Sequence, residues 1–322
     1  MASFSVLQWC MTVSILLGSA FAQLSENFYS TSCPQAFSII KDEVKIAIKK
    51  DPGMGASLLH LHFHDCGAGG CDGSILLDDT PSSTGEKSLV VNLNTTRGYE
   101  IIDKIKARLE KACPAVVSCA DILAVVARDS VVGLGGPNWN VPLGRRDSTE
   151  AHPYLTEAIA PLFLAGLDAI ILFFEAKGFT KNEFVALQGS HTIGMARCLT
   201  YKNHIYDDKN IDPAYAASLR ANCPKQGGDS KLTPIDSTTP FVFDNMYFIN
   251  LMKQKGLLVA DQQLYTGKGG TADAIVANYS SSKDNFFNNY VTGIVKLGKM
   301  GVLTGKDGEI RTNCRKVNGA KA

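Results

Sequence analysis

The sequence predicts a mostly α protein. Apolar side chains recur at helical spacing in segment after segment, two capping-box patterns open apolar runs, and strand-like alternation is scarce. In chain order, Tyr99, Ile102, Ile105 and Leu109 form an apolar stripe that stops at Pro114. Ser118 and Asp121 frame a capping box ahead of an apolar run to Val132, which breaks at Gly135, Gly136 and Pro137. Leu167 to Ala176 predicts a strongly apolar helix closed by Gly178. Thr180 and Glu183 form the second capping box, leading FVALQG into His191. Thr239 and Pro240 precede a helix through Leu251 that ends near Gly256, and Phe286, Tyr290, Ile294 and Leu297 mark the last one. No internal repeat or low-complexity linker divides the chain, so one domain is expected over residues 23–322.

Composition fits an exported globular protein. The 322 residues are 45% hydrophobic and 20% charged, enough for a sizeable core. A net charge of +1 gives no basic face for nucleic acid. Residues 1–22 carry no charged side chain, and the apolar stretch from Val13 to Leu17 runs into Ala20-Phe21-Ala22, an A-x-A cleavage pattern. That segment is too short and too broken by Ser and Thr to span a bilayer, which needs about 20 apolar residues. It reads as a secretory signal peptide, with Gln23 as the mature N-terminus. Cys10 falls inside it and eight cysteines remain, an even count that after export reads as a disulfide framework with many possible pairings.

The chemistry concentrates in Ser57 to Asp79, which holds three of the six histidines. At strand period His60, His62 and His64 would share a face; at helical period His60 and His64 share one and His62 points away. The helical character of the chain selects the second arrangement. Two histidines at i and i+4 invite a zinc reading, but no third ligand has credible spacing. The residues that follow are hard oxygen donors. Asp65, Asp72 and Ser74 offer side-chain oxygens, glycines at 67, 69 and 70 let carbonyls turn inward, and Cys66 and Cys71 can close the loop. Oxygen-only ligation suits calcium.

HFHDC followed by GCDGSILLDDT resembles the distal motif of the class III family, the secretory plant haem peroxidases. The resemblance covers essentially the whole mature chain and implies a two-lobed helical fold with haem b between distal and proximal halves. It implies that His64 is the acid–base catalyst, that Phe63 walls the pocket, and that Asn92 accepts a hydrogen bond from the catalytic imidazole and fixes its tautomer. It implies a distal calcium held by Asp65, Asp72 and Ser74 with the Ala68 and Gly70 carbonyls, and Glu86 beside it. VALQGSHTIGMARC resembles the proximal motif, which makes His191 the axial iron ligand and Asp261 the carboxylate on its other ring nitrogen. A second calcium would use Thr192, Asp236, Thr239 and Asp244 with the Val242 carbonyl. Pro161 falls where the family lines the site for small aromatic donors. The disulfides implied are Cys33–Cys113, Cys66–Cys71, Cys119–Cys314 and Cys198–Cys223.

The chain departs from the family at His60, where an arginine is usual, and at Val91, where a proline precedes the asparagine. A histidine is charged only below a pKa of about 6.5, so His60 is expected to help most when protonated and to slow the reaction relative to arginine. The alternative reading is a haem-binding scaffold of weak turnover. The expected activity is reduction of hydrogen peroxide with one-electron oxidation of small phenols, by a monomer in the extracellular space or cell wall, where wall polymers are further partners. Of two glycosylation sequons, Asn94 lies two residues from Asn92 and is expected to be the more buried, which favours Asn278.

Overall fold

The computed structural model describes residues 24–67, 69–159 and 166–319. The expected signal peptide, Ala68 and Pro161 lie outside the described residues. Thirteen α-helices account for about half of the described residues, which also hold one two-stranded ribbon.

Four helices build the distal half: α1 (Ala36–Lys50), α2 (Gly53–Gly67), α3 (Tyr99–Ala112) and α4 (Cys119–Gly133). Helix α1 buries Ile39, Ile40, Val44 and Ala47 along one stripe and ends in Lys49 and Lys50, which complement the carbonyl end of the helix. Helix α4 is buried nearly all round and packs against both α1 and α2. Ser118 caps it by accepting from Asp121 N at 3.1 Å, as the sequence predicts. The reciprocal half of the box is not made. Asp121 is instead fully buried and accepts from Tyr29 Oη at 2.7 Å, Gly144 N at 2.7 Å and Arg145 Nη1 at 2.8 Å. A carboxylate taken out of water needs several donors, and three long-range ones outcompete one local amide.

The rest of the chain is α5 (Pro153–Ile159), α6 (Leu167–Ala176), α7 (Lys181–Gln188), α8 (Cys198–Asp207), α9 (Pro213–Arg220), α10 (Met246–Met252), α11 (Val259–Gln263), α12 (Asp273–Ser281) and α13 (Lys283–Leu297). The Thr180–Glu183 capping box of α7 is complete in both directions. Phe184, Phe243, Phe248, Tyr279, Phe286 and Tyr290 pack α7, α10, α12 and α13 together, most pairs edge-on. One apolar cluster runs from Tyr29 to Cys314 and includes residues of both halves. All four disulfides pair as expected.

The ribbon matters for the site. Strands β1 (Met195–Arg197) and β2 (Leu232–Pro234) pair antiparallel, with Met195 opposite Pro234. Thr192 lies just before β1 and Asp236 just after β2, so the pairing brings the two segments that carry them together.

Candidate active site

Helix α2 carries the distal residues. Its turns put His60 and His64 on one face with ring centroids 4.1 Å apart, and turn His62 into the core. His62 is buried beside the Cys66 sulfur, 3.7 Å from Nδ1, and burial together with Arg145 lowers its pKa to about 3. Phe63 stands edge-on to His64 at 5.9 Å.

His64 Nδ1 lies 2.6 Å from the Asn92 amide oxygen, and Asn92 Nδ2 donates to the Glu86 carbonyl at 2.9 Å. Because its Nδ2 must donate, the Asn92 oxygen faces His64 and accepts, so Nδ1 carries the proton and Nε2 is left basic. Burial lowers the pKa of His64 and the Asn92 contact offsets this only in part. The ring therefore keeps its neutral form to lower pH than an ordinary imidazole does.

His60 differs from its expectation. Its Nε2 is buried without a hydrogen-bond partner. Burial, then the neighbouring His64 and His191, push its pKa well below 6.5. Protonating His60 is disfavoured, because burial removes its hydration and the neighbouring groups that act on it are two more imidazoles.

The proximal residues follow α7. The chain tightens into a 3₁₀ turn, Gly189–Thr192, that presents His191. His191 Nδ1 lies 2.7 Å from Asp261 Oδ1, and the carboxylate is wholly buried while about a third of the imidazole remains accessible. Burial alone would lower the pKa of His191, but the charge of Asp261 and its hydrogen bond outweigh that and raise it. Tyr247 Oη donates to the same Asp261 oxygen at 2.9 Å, a third member of the array that the sequence does not announce. A Tyr fourteen residues from an Asp offers no local signal for this.

A group of oxygens follows each of these histidines, beginning at Asp65 after His64 and at Thr192 after His191. On the distal side, Asp65 Oδ1 and Ser74 Oγ are buried without partners, while Asp65 Oδ2 accepts from Gly73 N at 3.0 Å. Burial, with Asp72 next to it, holds the Asp65 carboxyl well above the usual range. Gly70 has φ of 141°, and a Cβ there would meet the Gly301 backbone, 2.6 Å from its carbonyl carbon. On the proximal side, Asp244 Oδ1 accepts from Thr192 Oγ1 at 3.2 Å and Thr239 Oγ1 at 3.1 Å. Asp236 Oδ2 is buried and unpartnered, and burial raises its pKa. Buried carboxylate and hydroxyl oxygens left without protein donors match what a hard cation requires, so both groups fit calcium. The backbone of Val242 sits in the same turn, its N–H donating to Thr239 O at 3.0 Å.

Glu86 is fully buried, but both its carboxylate oxygens are taken by the start of α5: His152 N at 3.0 Å and Thr156 Oγ1 at 3.0 Å. It faces that helix start directly, and its backbone carbonyl holds Asn92. Asn94 is exposed, at φ of 60°, contrary to the burial expected for it. Asn278 is exposed too, within α12, where its side-chain oxygen accepts from Asn285. Among the described residues no three His, Cys, Asp or Glu side chains group as a metal site, which gives a zinc reading no support.

Comparison with known proteins gives one answer. The family described as "Peroxidase" matches residues 40–282. Peroxidase 4 of Vitis vinifera is 48% identical over 320 residues, 98% of this chain and 99% of its own length. Peroxidase 70 of Zea mays is 47% identical over 99% of this chain and 100% of its own, and Peroxidase 67 of Arabidopsis thaliana 46% over 96% and 98%. A chain with this helical fold, matched end to end by plant peroxidases, belongs to the peroxidase family and is a haem-dependent plant peroxidase of class III, an oxidoreductase acting on hydrogen peroxide.

Proposed function

We propose that this protein is a secreted peroxidase with one haem b and two calcium ions, which reduces hydrogen peroxide and oxidises small phenols one electron at a time. The observation that carries the reading is a contrast between two histidines: His64 is paired with a neutral amide and His191 with a buried carboxylate. Haem, when bound, supplies the redox chemistry.

The chain's own residues do the rest. His191 would hold the iron through its Nε2, with Asp261 fixing its ring and strengthening it as a donor. Neutral His64 would take a proton from peroxide at Nε2 and return it to the departing oxygen, serving as base and then acid. Asn92 keeps the tautomer that leaves this nitrogen free. Phe63 would exclude water on one side, and the family resemblance assigns Pro161, outside the described residues, to the donor side. Asp65, Asp72, Ser74 and the Gly70 carbonyl would hold the distal ion, with Ala68 assigned to it by the resemblance and Glu86 at the boundary; Thr192, Asp236, Thr239, Val242 and Asp244 would hold the proximal ion. Each ion would brace the segment that carries one of the two histidines. Residues 1–22 direct export to the apoplast or cell wall, where phenolic donors and wall polymers are available to a monomer, and any glycan is carried on Asn94 or Asn278. No described helix is long and apolar enough to cross a membrane.

A second reading has its own observation. His60 Nε2 is buried, unpartnered and held neutral, so it offers a weak donor to the charge that develops on the leaving oxygen. That favours a haem-bound protein of low turnover. Purified protein should show a haem absorption band that changes on adding peroxide, and should oxidise guaiacol or pyrogallol. A band that responds to peroxide without turnover of either phenol would select the second reading; no band at all would sink both.

A further inference from the structure

The glycine-rich distal loop and the histidine at the start of α5 explain each other. His152 Nε2 lies 3.0 Å from Asp72 Oδ2, and its backbone N–H donates to Glu86 Oε1 at 3.0 Å. The ring occupies the space a side chain at position 69 would need: a Cβ on Gly69 would sit 2.7 Å from His152 Cγ and 2.8 Å from Nε2. The other Asp72 oxygen accepts from Ser74 N at 3.0 Å. Asp72 is therefore gripped from both sides, once by its own loop and once by a residue eighty positions away. Glu86, held by His152 and by Thr156 Oγ1 at 3.0 Å, passes its backbone carbonyl to Asn92, the partner of His64.

We propose that His152 is a positioning residue for the distal calcium carboxylate, and that glycine stands at position 69 to admit its ring. Asp72 presents one fixed orientation to the ion because the imidazole holds its outer oxygen. Outer partners of this kind are worth about 10–100-fold in metal affinity, since without them the ligand must be ordered at the moment of binding. The same bond ties the calcium loop to the start of α5. The inference rests on the reading of Asp65, Asp72 and Ser74 as ligands of the distal ion.

The test is calcium release from the haem-loaded enzyme, followed by metal analysis during incubation with a chelator. His152→Ala should release one of the two ions about 10–100-fold faster and leave the release of the other unchanged. Gly69→Ala, which displaces the ring without removing it, should reproduce the effect, and the pair combined should be no worse than either alone. His152→Gln, which keeps an N–H within reach of Asp72, should recover much of the loss. Unchanged release from His152→Ala overturns the proposal, as does equal acceleration of both ions, which would signal general loosening. A wild-type enzyme with no chelatable calcium overturns the calcium reading and the proposal with it, whereas a wild-type ion indifferent to His152 overturns the proposal alone.

Discussion

His64 and His191 are the same side chain in similarly enclosed settings, and they are driven in opposite directions. His64 meets the oxygen of a neutral amide, and burial wins, lowering its pKa. His191 meets a buried carboxylate, and the charge wins, raising it. The partner's charge decides between a proton acceptor that stays free and a ring polarised toward a metal. The division of labour thus rests on one pair of acceptors, an amide on one side and a carboxylate on the other.

The most drastic way to break the contrast is to remove the proximal ring. His191→Ala should fold and be exported yet purify without the haem band; a full band and normal turnover would show that the axial role lies elsewhere. Next in size is the weak distal donor. His60→Arg should speed the reaction with peroxide by about 10²–10³, because a preorganised charged donor meets the developing oxyanion. Equal stopped-flow rates in the two proteins would remove His60 from the mechanism.

Calcium removal should act more strongly on the distal side, where Asp65 and Asp72 face each other. Burial raises the folded pKa of Asp65 above its unfolded value. Between those two values the unfolded chain binds fewer protons, so stability falls as pH rises. Calcium-free protein should therefore melt highest at acidic pH and lose stability through that window, and calcium should abolish the slope. A calcium-free melting curve independent of pH would contradict this.

Asn92→Asp makes the distal pairing resemble the proximal one. A carboxylate there should raise the pKa of His64, so that the base is lost at higher pH as solution is acidified. The acid limb of the peroxide reaction should move upward in pH relative to wild type, and an unmoved limb would argue that Asn92 does not govern the ring. The smallest effect belongs to Tyr247. Its phenol shares Asp261 Oδ1 with His191, so Tyr247→Phe should strengthen the bond to the imidazole and move the iron reduction potential slightly negative. A positive shift would mean that the phenol orients the carboxylate instead of competing for it.

The sequence made the helices legible wherever the apolar period was long, as in α3, α6 and α13, and where a cap closed locally, as at Thr180 and Glu183. Asp121 shows the limit: the same local pattern is overruled by donors from distant segments, which a linear reading does not see. The paired histidines and the loop oxygens were legible because helical spacing and ligand type are properties of short stretches. His152 and Tyr247 were not, since an imidazole eighty residues from its carboxylate leaves no trace in spacing. The setting of His60 was not legible for a similar reason. The ordinary pKa of an imidazole belongs to a ring in water, and spacing along the chain does not say how much water His60 keeps once the helices close around it.

The Cys119–Cys314 bridge joins residues 195 positions apart, and the chain near it is stitched into the distal half. Asp78 N donates to Arg315 O at 2.9 Å, Arg311 N to Asp147 Oδ2 at 2.9 Å, and Arg311 Nη2 to the carbonyl of Gly73, beside the calcium loop. A ribosome makes residues 311–315 after every helix of both halves. The segments bearing His60 and His64 emerge well before them and lack these supports until residues 311–315 are made, so the distal half waits, unsealed, while the proximal helices are synthesised. A stop codon placed after residue 308 would spare nearly all of the later-made proximal half and damage the earlier-made distal one.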